Sequence, residues 1–375
     1  MRAPDFQGLA QPGIQRLRAY DPGLDLVALR RQAGEGVLVE LGSNENGFGP
    51  SPRAREALLG VLHQLHRYPD PLGGDLKRAL AARHALATDR LLLGNGSHEL
   101  LMMLAQVFTG PGRDVVASQF GFAVYALAAQ AAGATLCTAP ARTSGVEQPR
   151  GHDLAAIRRL MSWRTRIVFL ANPNNPTGTW FGTDELAAFL TDIPAGTLVV
   201  VDEAYIEYAT DPALRSALEL LDAHPNLVVT RTFSKGYGLA GLRVGYLCAH
   251  PELVAVMERV RESFNVNLPG LAACEAALGD EAHLDWVRAR TTEEREWLSA
   301  QLANRGIAVP PSQANFLLAD FGRDAAPIEA GLVAGGVVPR PMGGYGLPTC
   351  LRLTVGTRDE NRRLLQVLDA LVPEA

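Results

Sequence analysis

A chain of 375 residues with 47% hydrophobic content is long enough for two globular parts and apolar enough to fill both. Its net charge of -5 and pI near 5.9 provide no basic field for nucleic acid, so any anion site must be local. No run approaches the roughly 20 apolar residues that cross a bilayer, and Arg2, Asp5 and Pro12 break up any signal-peptide core, so we expect no membrane attachment and a cytoplasmic location.

Short β-rich apolar runs recur at residues 91–94, 114–117, 135–138, 166–171, 197–202, 227–232 and 244–248. Several lack alternation, as strands covered by helices on both faces do, and most of the intervening segments are long enough for a crossover helix. An α/β fold is expected, with a mostly parallel, doubly wound sheet of about seven strands in a large domain over residues 49–278. The segment "DEAHLDWVRARTTEEREWLSAQLANRG", closing at Gly306, predicts a long helix leaving that sheet. The strand candidates "ANFLLADF" and "CLRLTVG" place a smaller α+β domain at 279–375, and residues 1–48 read as an arm that packs near it.

The chain avoids lysine: of 35 basic residues 33 are arginines, leaving only Lys77 and Lys235. Arginine is never neutral in a protein, so a lysine kept in such a chain points to chemistry that needs a primary amine. For Lys77, in "DLKRALAARH", a solvated helix face is sufficient reason. Lys235, in "RTFSKGYGLAG" directly after an apolar run, has no such ordinary explanation. Cys137, Cys248, Cys274 and Cys350 show no paired spacing and read as buried thiols, and the eight histidines show no metal pattern.

Ligands of open α/β sheets sit beyond the carboxyl ends of the strands, and four polar clusters fall at such ends: "GNGSHE", "NPNNPTG", "DEAY" and "TFSKGYGLAGLR". Asp202 follows four aliphatic residues, so its carboxylate borders a low-dielectric interior and calls for a cation such as a pyridinium nitrogen; the plainer alternative is a helix cap. Asn175 lies in a turn fixed by two prolines and a glycine, and its amide, with the Tyr205 hydroxyl, can reach one ligand oxygen; an ordinary loop is the alternative. "GNGSHE" reads as a glycine turn opening a helix, where Gly96 and Ser97 present backbone N–H groups to a phosphate, or where Ser97 is only a cap. Thr232, Ser234 and Arg243 complete a cup of hydroxyls and guanidinium around such a phosphate. That cup and the Lys235 amine together imply a phosphorylated aldehyde.

Gly236, Gly238 and Gly241 also fit a G-x-G-x-x-G dinucleotide fingerprint. They come late in the sheet, "TFSK" separates them from the strand, and no acidic strand end follows at the required distance, so a nicotinamide site is rejected.

At these motifs, together with "LGSNENGFGPSP", "RYPD", "RESFNVN", "RPMGGYGLP" and "LRLTVGTRDEN", the chain resembles the fold-type I aminotransferases dependent on pyridoxal 5'-phosphate, within them the histidinol-phosphate aminotransferases. The resemblance implies that Lys235 is the Schiff-base lysine, that Asp202 meets the pyridinium nitrogen, and that Asn175 and Tyr205 hold the ring oxygen. It implies phosphate contacts from Gly96, Ser97, Thr232, Ser234 and Arg243, and stacking by Phe122 in "FGFAVY", where the family often has tyrosine. It further implies that Tyr68 is lent to the neighbouring subunit of a homodimer, that Tyr20 and Asn46 line the substrate pocket, and that Arg352, with Arg340 as a second positive group, clamps the substrate's anion. The implied reaction is transamination between histidinol phosphate and 2-oxoglutarate in histidine biosynthesis. The same frame also carries aromatic amino-acid aminotransferases and a threonine-phosphate decarboxylase, and a catalytically silent cofactor-binding protein is the alternative outside enzymes.

Overall fold

The computed structural model describes residues 5–17, 19, 23–33, 38–143 and 148–371. Each of the seven apolar runs forms a strand: β1 (Leu91–Gly94), β2 (Asp114–Ser118), β3 (Thr135–Ala139), β4 (Thr165–Ala171), β5 (Leu198–Asp202), β6 (Leu227–Thr232) and β7 (Gly245–Cys248). They make one sheet in the order β1-β7-β6-β5-β4-β2-β3. Pairing is parallel from β6 through β5, β4 and β2 to β3, whereas β7 is antiparallel to both β6 and β1. The carboxyl ends of β1 through β6 therefore share one edge, and the reversed β7 starts at that same edge.

Both faces of the sheet are buried, which is why its strands are apolar without alternation. Along β4, Val168 and Leu170 enter one core while Ile167, Phe169 and Ala171 enter the other. Val199 and Val201 of β5 likewise oppose Val200. At the shared edge β5 ends on the buried carboxylate of Asp202.

The long helix predicted near Gly306 spans Glu281–Ala303. It leads to a three-stranded antiparallel sheet of β8 (Phe316–Asp320), β9 (Arg340–Pro341) and β10 (Cys350–Thr354), ordered β9-β10-β8. Leu298, Leu302, Leu317, Leu351, Leu353 and Leu364 form its core. Val39 and Glu40 pair in parallel with Val337 and Val338 in a separate two-stranded sheet, which ties the amino-terminal segment to the stretch just before β9. Among the described residues no helix is long and apolar enough to cross a membrane.

Two expectations fail: Cys137 is only partly buried, unlike the other three cysteines, and the second concerns Lys77. Lys77 is not on a solvated face: its side chain is mostly covered and its amine lies 3.4 Å from Glu258. The segment after helix Pro251–Met257 brings that carboxylate over the helix, a long-range contact with no local sequence signature.

Candidate active site

A cavity of about 840 Å³ opens where β1, β4, β5 and β6 end, and Ser97, Phe122, Asn175, Asp202, Tyr205, Thr232, Ser234, Lys235, Arg243, Arg340 and Arg352 all line it. Asp202, the last residue of β5, is only 5% exposed. Its carboxylate accepts from the hydroxyls of Tyr125 at 3.1 Å and Thr230 at 3.2 Å, and no basic side chain among the described residues forms an ion pair with it. Burial pushes its pKa up to about 6, against the opposing pull of the hydrogen bonds from Tyr125, Thr230 and the Ala204 backbone. The helix-cap alternative does not hold, because Tyr205 occupies the cap position of the next short helix.

Lys235 lies just beyond β6. Its Nζ donates to the Ser43 carbonyl at 2.9 Å and stands 5.8 Å from the Tyr205 ring centre. Burial, reinforced by the charges of Arg352 and Arg243 and opposed by Glu45, lowers the amine to about 7. The Tyr205 hydroxyl accepts from Asn44 Nδ2 at 3.0 Å, and burial raises its pKa to about 12.

The residues expected to form the cup lie close together. Gly96, at φ +78°, caps the helix Ser97–Phe108, so Ser97 is its first residue and not its cap. A Cβ at Gly96 would lie 2.6 Å from Arg243 Nη2, and one at Gly245 would lie 2.3 Å from Ser97 N. Only glycine lets the helix start and the guanidinium approach this closely. Arg243 itself adopts φ +54° and donates from Nη1 to Ser234 Oγ at 3.2 Å. The Ser234 backbone N–H in turn donates to Thr232 Oγ1 at 3.1 Å.

On the opposite wall, Arg352 donates from Nη1 to Asn175 Oδ1 at 2.5 Å and from Nη2 to the Gly42 carbonyl at 2.6 Å. Arg340 is its direct cross-strand neighbour in the β9–β10 pair. Like charges opposite one another are unfavourable, and an anion between them would relieve that repulsion.

A family model for class I and II aminotransferases matches residues 37–368. The chain belongs to this family. It is 46% identical over 366 residues to a histidinol-phosphate aminotransferase 2 of Pseudomonas aeruginosa, covering 97% of this chain and 98% of that one. A histidinol-phosphate aminotransferase of Anaeromyxobacter is also 46% identical over 366 residues, with 97% and 99% covered. Among solved structures, the histidinol-phosphate aminotransferase of Sinorhizobium meliloti in complex with pyridoxal-5'-phosphate matches with a TM-score of 0.88 at 32% identity, covering 97% of each chain.

Among the expected site residues that the structure describes, Gly96, Tyr68 and Asn46 do not line the cavity, Gly96 standing just behind it against Arg243. Tyr68 is 81% exposed and stacks on Phe264 at 4.6 Å. Asn46 lines a neighbouring open recess of about 510 Å³, which shares Ser234 with the cavity, and donates to the Gly236 carbonyl at 3.1 Å. Tyr20 lies outside the described residues. Sequence reasoning missed Tyr125, Thr230 and Asn44, which hold Asp202 and Tyr205, and the carbonyls of Gly42 and Ser43. Thr230 carried a signal, as a lone hydroxyl in an apolar strand; backbone carbonyls carry none.

Proposed function

We propose that this aminotransferase moves the amino group of L-histidinol phosphate to 2-oxoglutarate, giving imidazole acetol phosphate and L-glutamate, as a step of histidine biosynthesis. It does so with pyridoxal 5'-phosphate on Lys235, as a cytoplasmic homodimer to which Tyr68 contributes across the subunit boundary. We assign residues 49–278 to the cofactor-binding domain, 279–375 to the small domain and 1–48 to an arm. The observation that carries this reading is the convergence of three unlike groups on one cavity: a lysine in a chain that has only two, a buried carboxylate without a cation, and a cup of hydroxyls and guanidinium. The relatives at 46% identity support the choice of substrate.

The residues fit the cofactor. Asp202 needs a positive charge, and a ring nitrogen cation beside it draws its carboxyl back toward the ionised form. Gly96, Ser97, Thr232, Ser234 and Arg243 suit a phosphate, Asn175 and Tyr205 a ring oxygen, and Phe122 a ring face. When bound, the cofactor supplies an electron-withdrawing ring that makes the substrate's hydrogen next to the amine acidic. Lys235, lowered to about 7, has a neutral amine ready to accept that proton at Nζ and return it. Arg352 and Arg340 hold the anion of either substrate, a phosphate in one case and a carboxylate in the other. The family resemblance assigns Asn46 and Tyr20 to the substrate.

Borohydride reduction of the cofactor-loaded chain should fix a pyridoxyl label on Lys235, and Lys235→Ala should lose both label and turnover. Assays with 2-oxoglutarate should rank histidinol phosphate above phenylalanine and threonine phosphate. A label on another residue overturns the cofactor assignment; a preference for phenylalanine, or carbon dioxide released from threonine phosphate, overturns the substrate.

A further inference from the structure

Tyr125 lies on the helix Ala123–Ala131, wholly buried, and its hydroxyl reaches Asp202 Oδ2 at 3.1 Å. Its ring is held on two sides, stacked on Phe169 with centres 4.8 Å apart and planes 6° apart, and edge-on to Phe122 at 5.9 Å. Thr230, also wholly buried, donates to the other oxygen, Oδ1, at 3.2 Å. Asp202 lines the cavity and Phe122 does too, whereas Tyr125 and Thr230 stand behind them in the core. The two hydroxyls thus grip the carboxylate from the interior, and the ring packing leaves the phenol no freedom to swing away.

We propose that Tyr125 is a positioning residue for the transamination: with Thr230 it fixes Asp202 as an ionised acceptor aimed at a cation in the cavity. This rests on the function proposed above. The charge balance around Asp202 makes the hydroxyls necessary. Glu203, the first residue past β5, opposes its ionisation, as burial does, and Tyr205 on the following turn is neutral. Of the cations that line the cavity, Lys235, Arg243 and Arg352 donate to Ser43, Ser234, Asn175 and Gly42, and neither these nor Arg16 and Arg340 form an ion pair with Asp202 among the described residues. Donation by hydroxyls is what holds the charge until a ring cation arrives.

The test reads Asp202 directly, by carbon-13 NMR of aspartate-labelled full-length chain without cofactor, with the resonance assigned through Asp202→Asn. Tyr125→Phe keeps the stacked ring and removes one donor; Thr230→Val does the same on the other side, and Thr230→Ser restores the hydroxyl. A hydrogen bond to an ion, worth about 1.5–3 kcal/mol, should raise the Asp202 midpoint by about one unit or more in each donor-less variant. Thr230→Ser should stay near the parent. Unchanged midpoints in Tyr125→Phe and Thr230→Val overturn the proposal, even if the borohydride label at Lys235 stands. If Tyr125→Phe does not fold, Thr230→Val decides alone. Shifted midpoints without that label would leave the positioning contact intact and remove the function built on it.

Discussion

Gly245→Ala puts the geometry of the anion cup to the hardest test. A methyl there meets Ser97 N at 2.3 Å, the Gly96 carbonyl carbon at 2.7 Å and the Arg231 carbonyl oxygen at 2.9 Å, all of them backbone atoms that cannot rotate aside. Ordinary contact starts near 3.4 Å, so the turn that opens the helix Ser97–Phe108 has to retreat by about 1 Å. Overpacking of this kind costs about 1–3 kcal/mol of stability. A displaced turn that forfeits one charged hydrogen bond to a phosphate loses about 1.5–3 kcal/mol of binding, or about 10- to 100-fold in cofactor Kd. Calorimetric melting and fluorescence titration of the cofactor-free chain with pyridoxal 5'-phosphate measure the two quantities. Gly196→Ala is the control, since a methyl at that exposed position meets nothing within 4 Å and should change neither. If Gly245→Ala melts with the parent and binds the cofactor equally well, the close approach is not what shapes the cup.

Two further predictions concern charge. Because burial lowers Lys235 to about 7, the rate at which cofactor-free protein takes up pyridoxal 5'-phosphate should rise with pH through a midpoint near 7; a midpoint above 9 would show that the amine is solvated. The linked stability runs the same way: between about 7 and the ordinary lysine value the unfolded chain binds more protons than the folded one, so this group makes the fold more stable as pH rises across that window, and Lys235→Met should flatten the slope in melting curves. Arg352→Lys keeps the charge but not the two-pronged grip on Asn175 and Gly42, and should lower kcat/KM for anionic substrates by about tenfold or more, with Arg352→Ala also destabilising the chain by leaving buried acceptors bare. Equal kcat/KM in Arg352→Lys and parent would assign the anion to Arg340 or to another group.

The strands were legible because burial on both faces demands unbroken apolar runs, and their ends were legible because polarity returns at the edge: all seven runs stand within a residue or so of the expected bounds. The same logic pointed to Asp202 at the end of a strand, Asn175 and Lys235 just past strands and Arg243 just before one, and these four line one cavity. It could not find Tyr125, because a tyrosine in "AVYALAAQA" reads as core, and its partner is 77 positions away. Nor could it find the Gly42 and Ser43 carbonyls, since any residue type supplies a carbonyl. Lys77 misled for the related reason that local context showed a helix face but not the Glu258 folded over it. Tyr68 carries a recognisable motif, yet within a single chain it projects outward, so the role proposed for it depends on a surface that one sequence does not describe.

The reversal of β7 removes any need for a crossover helix between it and β6. Residues 233–244 instead form a closed loop, pinched at its neck by the hydrogen bond from Phe233 N to the Val244 carbonyl at 3.0 Å, with both residues wholly buried. Lys235 and Arg243 ride on that one bracket, so the spacing of amine and guanidinium is set by a few covalently linked turns and one clasp. Sliding of the distant helices can tilt the bracket, but it cannot easily stretch it.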